Sequence, residues 1–67
     1  MDPAELKARR RQLGFRSRRL LAEALGVSEP AVSAWETGRR KIPDWLERYL
    51  RLLEERREIK KILEDDL

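Results

Sequence analysis

The run LLAEALGVSEPAVSAWETG, residues 20–38, decides how this chain folds. Two short apolar-periodic segments flank Gly26-Val27-Ser28. Ser17 is placed to cap a helix over Arg18–Leu25, and Gly26 stops it, since glycine takes the left-handed conformation common after a helix end. Leu21, Ala22 and Leu25 lie at i, i+1 and i+4 and form its buried face, which Leu20 widens. Phe15, before the cap, is placed to staple this helix to whatever precedes it. Val27 is a single apolar residue in a tight turn. Ser28 caps the next helix, Glu29–Thr37. Glu29 favours the positive end of that helix, and Pro30 falls in the first turn, where its missing N–H costs little. Val32 and Trp35 face inward at i, i+3, and Gly38 ends the element.

Two helices of this length joined through three residues have the geometry of a helix-turn-helix. Its physical demands are definite. A small residue must sit where the second helix crosses the first, and Ala22 does. A residue that tolerates a left-handed backbone must sit in the turn, and Gly26 does. Apolar side chains must seal the angle, and Leu21, Leu25, Val27, Val32 and Trp35 stand at the right offsets.

Working outward, Asp2-Pro3-Ala4-Glu5 reads as a helix start. Asp2 caps, Pro3 suits the first helical position, and Glu5 follows three residues after the cap. This helix is expected from Pro3 to Leu13, with Gly14 as its stop and a narrow inward stripe of Leu6, Leu13 and partly Ala4 and Ala8. On the other side, Arg39-Arg40-Lys41-Ile42-Pro43 is a connector anchored by Ile42. From Asp44 to Leu67 there is neither glycine nor proline, so one long helix to about Glu64 is the simplest reading. It offers i, i+4 pairs Asp44–Arg48, Glu47–Arg51, Arg51–Glu55, Lys60–Glu64 and Lys61–Asp65. No segment alternates with period two for long enough to form a strand, so the fold class is all-α.

The chain has 67 residues, of which 43% are charged, with a net charge of +3. A domain this small buries only about 60% of its unfolded surface, so its core is marginal. It contains no cysteine and no histidine, which excludes disulfides and the usual soft-ligand zinc sites. Association is then the stabiliser left. No metal and no cofactor are expected. No apolar run approaches the ~18 residues of a membrane span, and MDPAELKARR has no apolar core of a signal peptide. The expected compartment is the cytoplasm, in association with the nucleoid. Residues 1–43 hold ten Lys/Arg and five Asp/Glu, whereas residues 44–67 hold six and eight. The first two-thirds suit a polyanion and the last third does not. High charge alone would keep a small domain soluble, but it does not explain that asymmetry.

LKARRRQLG (6–14), LAEALGVSEPAVSAWETGRRKIP (21–43) and the apolar helix that follows resemble the phage-repressor family of helix-turn-helix domains, the lambda-repressor-like, Cro-like or XRE group. The likeness spans residues 3–54. It implies a compact four- to five-helix DNA-binding domain with a long C-terminal helix, whose third helix enters the major groove of double-stranded DNA, commonly as a homodimer on a palindromic operator. It also implies that Arg10 and Glu36 form a structural ion pair docking the first helix onto the third. Residues 1–54 are then the DNA-binding domain, with its motif at 18–37, and residues 55–67 a helical extension.

For the site, Glu29, Pro30, Ser33 and Ala34 lie on the groove-facing side in that likeness. Glu29 can accept from a cytosine amino group, Pro30 and Ala34 can meet a thymine methyl, and Ser33 can donate or accept. Glutamines frequent in the family are replaced here, including at Arg18, which is left to read a guanine or to hold a phosphate. Arg16, Arg19, Thr37, Arg39, Arg40 and Lys41 are candidates for phosphate contacts. The cluster Arg16, Arg18, Arg19 at a helix start opposes the helix dipole, so a compensating anion is expected there, and a DNA phosphate would supply it.

In the C-terminal third, Trp45, Tyr49, Leu52, Ile59 and Leu63 follow a 4-3 rhythm broken by Arg56, beside a second stripe of Leu46, Leu50 and Leu53. Beyond Glu54 the core should already be closed, so Tyr49, Leu52, Ile59, Ile62 and Leu63 are expected to dimerise the chain, unless the helix folds back on its own domain. The function expected is a sequence-specific, non-enzymatic transcriptional regulator of repressor type. The rivals are an antitoxin that binds DNA and a small toxin protein, and a protein-interaction adaptor without DNA. An enzyme is disfavoured: there is no His, no Cys, no glycine-rich phosphate loop and no paired carboxylates in an enclosing pocket.

Overall fold

A computed structural model describes residues 1–65, with side chains described through Glu64. Its described residues form four α-helices: α1 (Pro3–Gln12), α2 (Arg18–Leu25), α3 (Glu29–Glu36) and α4 (Asp44–Asp65). Each of the first three starts on a side-chain cap. Asp2 Oδ1 accepts from the Glu5 amide at 2.7 Å, Ser17 Oγ from Leu20 at 3.2 Å and Ser28 Oγ from Ala31 at 3.3 Å. Caps of this kind stabilise a helix by about 1 kcal/mol each. The turn between α2 and α3 is set by Gly26 at φ +72°, which lets the Val27 amide reach back to the Ala22 carbonyl at 3.0 Å. That bond tightens the end of α2 and aims the chain into α3.

The core draws on every helix. Leu6, Leu21, Ala22, Val32, Trp35, Leu46 and Leu50 are buried, and Met1, Leu13, Phe15, Leu25, Val27, Ala31 and Ile42 pack around them half-covered. Burying a side chain of Leu or Val size stabilises by about 1.5–3 kcal/mol. α3 therefore sits against α1 and α2 with one face spoken for, and its other face is left to solvent.

α1 and α2 bury less apolar surface than their sequences offer. Ala4 and Ala8 are exposed, and the inward stripe of α1 is Leu6, Arg10 and the half-buried Leu13. Arg10 holds the place an apolar residue would take. Leu20 is 38% exposed and does not widen the face of α2. α1 ends at Gln12 and α3 at Glu36, each one residue short of the expected boundary, because Leu13 and Thr37 serve as C-caps.

α4 spans 22 residues, about 33 Å at 1.5 Å per residue. It gives the molecule a longest extent of 44 Å against 20 × 18 Å across. Leu46 and Leu50 seat its first half in the core, and Trp45 meets Trp35 edge-on at 6.0 Å and 81°. Arg9 clasps Glu54, and Arg57 donates to the Gln12 carbonyl. From Glu55 to Glu64 every described side chain is exposed. Of the i, i+4 pairs expected, Glu47–Arg51 approaches to 3.8 Å. Asp44–Arg48, Arg51–Glu55 and Lys60–Glu64 do not close among the described side chains, since long exposed chains gain little from pairing in water. Lys61–Asp65 and the end of the 55–67 extension lie outside what is described.

Candidate nucleic-acid interface

The outward face of α3 is built from short side chains. Glu29 and Pro30 in its first turn are exposed, Ser33 and Ala34 are half-buried, and Thr37 closes the helix in solvent. The Thr37 hydroxyl donates to the Ser33 carbonyl at 2.8 Å, so its one proton is in use and a phosphate contact would need the hydroxyl to turn. This face can approach a groove floor closely, but it carries little hydrogen-bonding reach of its own.

Behind it lies a charge cluster. The Glu36 carboxylate is fully buried, and Arg10 is 4% exposed. Arg10 Nε donates to Glu36 Oε2 at 2.8 Å, Nη2 to Oε1 at 3.4 Å, and Nη1 to the Phe15 carbonyl at 2.8 Å. The last contact ties the α1–α2 connection to the same knot. Arg18 completes it. Its Nε donates to Glu36 Oε1 at 3.2 Å and its Nη1 to Ser33 Oγ at 3.3 Å, with 34% of its side chain still exposed. No buried side-chain N or O among the described residues lacks a hydrogen-bond partner. That satisfaction is what lets a carboxylate and a guanidinium persist inside so small a core.

The Arg18 arrangement answers the dipole problem at the start of α2, whose first turn contains no acid. The compensating anion is Glu36, from the end of α3. A helix start crowded with arginines and lacking an acid signalled the need for an anion; nothing local in the sequence said which residue would supply it. The Arg9–Glu54 clasp joins residues 45 apart and was likewise silent. The hydrogen bond that Arg9 donates to Glu54, reinforced by the neighbouring carboxylates and opposed by burial, raises the Arg9 guanidinium above its already high ordinary pKa. A raised pKa adds stability that is complete below the ordinary value and is lost only as pH climbs through the raised one, so this contribution is constant across neutral pH.

The remaining cations lie before and after α3 in the chain. Arg16 is exposed, and Arg19 lies 3.9 Å from Glu23 with both side chains about two-thirds exposed or more (71% and 67%). On the other side, the amides of Arg39 and Arg40 both reach the Ala34 carbonyl, at 2.9 and 3.2 Å, folding the connector over the end of α3. This presents Arg39, Arg40 and Lys41 to solvent. Of the expected site residues, Glu29, Pro30, Ser33, Ala34 and Thr37 lie on or at the end of α3, Arg18 bonds to Ser33, and the Arg39–Lys41 connector starts over the end of the helix, while Arg16 and Arg19 are exposed at the start of α2. Tyr49, Leu52, Ile59, Ile62 and Leu63 lie apart on α4, and all five are 36–61% exposed.

An α2–turn–α3 unit sealed by Leu21, Ala22, Val32 and Trp35, with α3 left open on its far side, defines a helix-turn-helix protein. A family model described as a helix-turn-helix domain matches residues 4–58, and the chain belongs to that family. Membership points to a DNA-binding regulator, in a family typically without enzymatic activity. Nothing among curated proteins or solved structures matches the chain. Among the described residues no helix is long and apolar enough to cross a membrane.

Proposed function

We propose that this protein is a sequence-specific, repressor-like transcriptional regulator in the cytoplasm, held at the nucleoid by binding operator DNA as a dimer with α3 in the major groove. The observation that carries the reading is the open α3 face, reached by Arg18 from α2 and followed by a basic connector whose backbone folds over the end of the helix. Arg16 and Arg19 at the start of α2, and Arg39, Arg40 and Lys41 in that connector, are all exposed. Exposed cations on both sides of α3 in the chain suit phosphate backbones, and the short residues Pro30, Ser33 and Ala34 suit close approach to base edges.

The dimer rests on α4. Ile59, Ile62 and Leu63 are more than half exposed beyond the closed core, on a stretch of α4 tied to the domain through Arg57 and Gln12. A second copy would cover them through a helix–helix seam, with Leu52 and Tyr49 extending the stripe. A small toxin-like protein is the alternative cover; a stoichiometric second polypeptide after purification would favour it.

Selection of bound sequences from a random duplex pool tests the reading. The expected result is a palindromic motif whose half-sites lie one DNA turn, about 34–36 Å, or a multiple apart. A pool that emerges unenriched defeats sequence-specific binding. Enrichment of a single half-site defeats the dimer.

A further inference from the structure

We propose that Arg18 is the guanine reader of this domain, and that Glu36 and Ser33 are positioning residues that hold it in place. The inference rests on the DNA-binding reading above and names the residue in which its specificity is concentrated. Glu29, Pro30, Ser33 and Ala34 leave α3 without a long hydrogen-bonding side chain. Arg18 enters from α2 and lays its guanidinium against the outward face of α3, where Nη1 donates to Ser33 Oγ at 3.3 Å. Its Nε is fixed on Glu36 Oε1 at 3.2 Å.

Two of its five N–H donors are thus in use, which leaves both protons of Nη2 and one of Nη1. These suffice for the paired donation that guanine O6 and N7 accept, the one base edge in the major groove with two adjacent acceptors. Glu36 is itself immobile, fully buried and held by Arg10. The guanidinium is therefore ordered before any DNA arrives, and little side-chain freedom remains to be lost on binding.

The same bonds favour directed donation over a plain phosphate contact. A phosphate binder works through exposed charge free to move, and Arg39, Arg40 and Lys41 supply that with exposed side chains. Arg18 instead shares the buried Glu36 carboxylate with Arg10, so its charge is only partly offset, but its orientation is fixed, which raises its value as a directed donor. Ser33 in turn is a brace for Arg18 rather than a separate reader.

The test uses the full chain and the duplexes it selects, with Arg18→Lys and Ser33→Ala as variants and thermal melting to verify that each is folded. Lysine keeps the charge and loses the fork; alanine removes the brace and leaves every charge in place. For the wild type, one guanine per half-site is expected to be strongly preferred. Replacing it with 7-deazaguanine, which lacks the N7 acceptor, should weaken binding at least about tenfold. In Arg18→Lys that penalty should fall to about twofold or less, with preferences at other positions and the salt dependence of binding unchanged. Ser33→Ala should reduce the same preference partially.

If Arg18→Lys binds more weakly but keeps the same preference at every position, Arg18 is a phosphate contact and the proposal is wrong. It is equally wrong if Ser33→Ala, folded and charge-matched, retains the full guanine preference. A wild type that binds no duplex even at low salt overturns the DNA-binding reading itself, an outcome distinct from these.

Discussion

Removing Glu36 should affect this domain more than any surface change, and more than removing Arg10. The side chain is fully buried between two arginines. Glu36→Ala leaves Arg10, 4% exposed, with only the Phe15 carbonyl as partner. Breaking a buried pair from one side costs about 3–5 kcal/mol. A domain of this length has a total stability of roughly 3–10 kcal/mol, so the variant should lose about half of it or more. Arg10→Ala leaves Glu36 buried but still bonded to Arg18, so its cost should be about 1–2 kcal/mol smaller. The double variant removes both charges and should be less destabilised than the two singles summed, by about 2 kcal/mol or more. Urea titrations followed by helix circular dichroism, run at low temperature in a stabilising osmolyte to keep the weak variants folded, give the cycle. Additivity within about 0.5 kcal/mol would refute the reasoning, because coupled residues cannot add. Equal effects of the two singles would remove Arg18 from the network.

Gly26→Ala should lower stability by about 1 kcal/mol, or roughly 4–8 °C in Tm, from backbone strain at φ +72° alone, since a Cβ there meets nothing within 4 Å. A larger loss in melting experiments would place a contact where none is seen. Ser28→Ala should cost about 1 kcal/mol by removing the α3 cap, and Ser28→Asp should restore most of it. Ending the chain after Glu55 should keep the helical core while abolishing self-association in sedimentation; Leu63→Glu in the full chain should do the same. An unchanged dimer, or a monomer in every case, removes α4 from the assembly account.

The fold was legible because its punctuation is strong. Three capped helix starts and three glycine stops bound α1, α2 and α3, and Ala22, Gly26, Val32 and Trp35 satisfy a steric pattern that few other all-helical arrangements would need. The site was less legible because its key contacts are made between elements. Arg18 stood out from Arg16 and Arg19 only through the family likeness, which left it to read a guanine or hold a phosphate. Its distinction is the pair of bonds to Glu36 and Ser33, which bring the start of α2 against the far turns of α3, 15 and 18 residues later in the chain. The same holds for α4, where Arg9–Glu54 and Arg57–Gln12 link residues 45 apart. Periodicity separated the Leu46, Leu50 and Leu53 stripe from that of Trp45, Tyr49 and Leu52, and could not say which would face the core, where Leu46 and Leu50 lie, or where the neighbouring helices would end.

The central question is whether the open face of α3 meets DNA. Binding of a selected duplex, measured from 50 to 200 mM salt, addresses this directly. If Arg16, Arg19, Arg39, Arg40 and Lys41 of both protomers neutralise phosphates, log K for the dimer should fall against log[salt] with a slope of about −9. Arg39→Ala with Arg40→Ala should bring it to about −5.4 without altering the preferred sequence. A slope near zero, or one that the double variant leaves unchanged, would contradict the account.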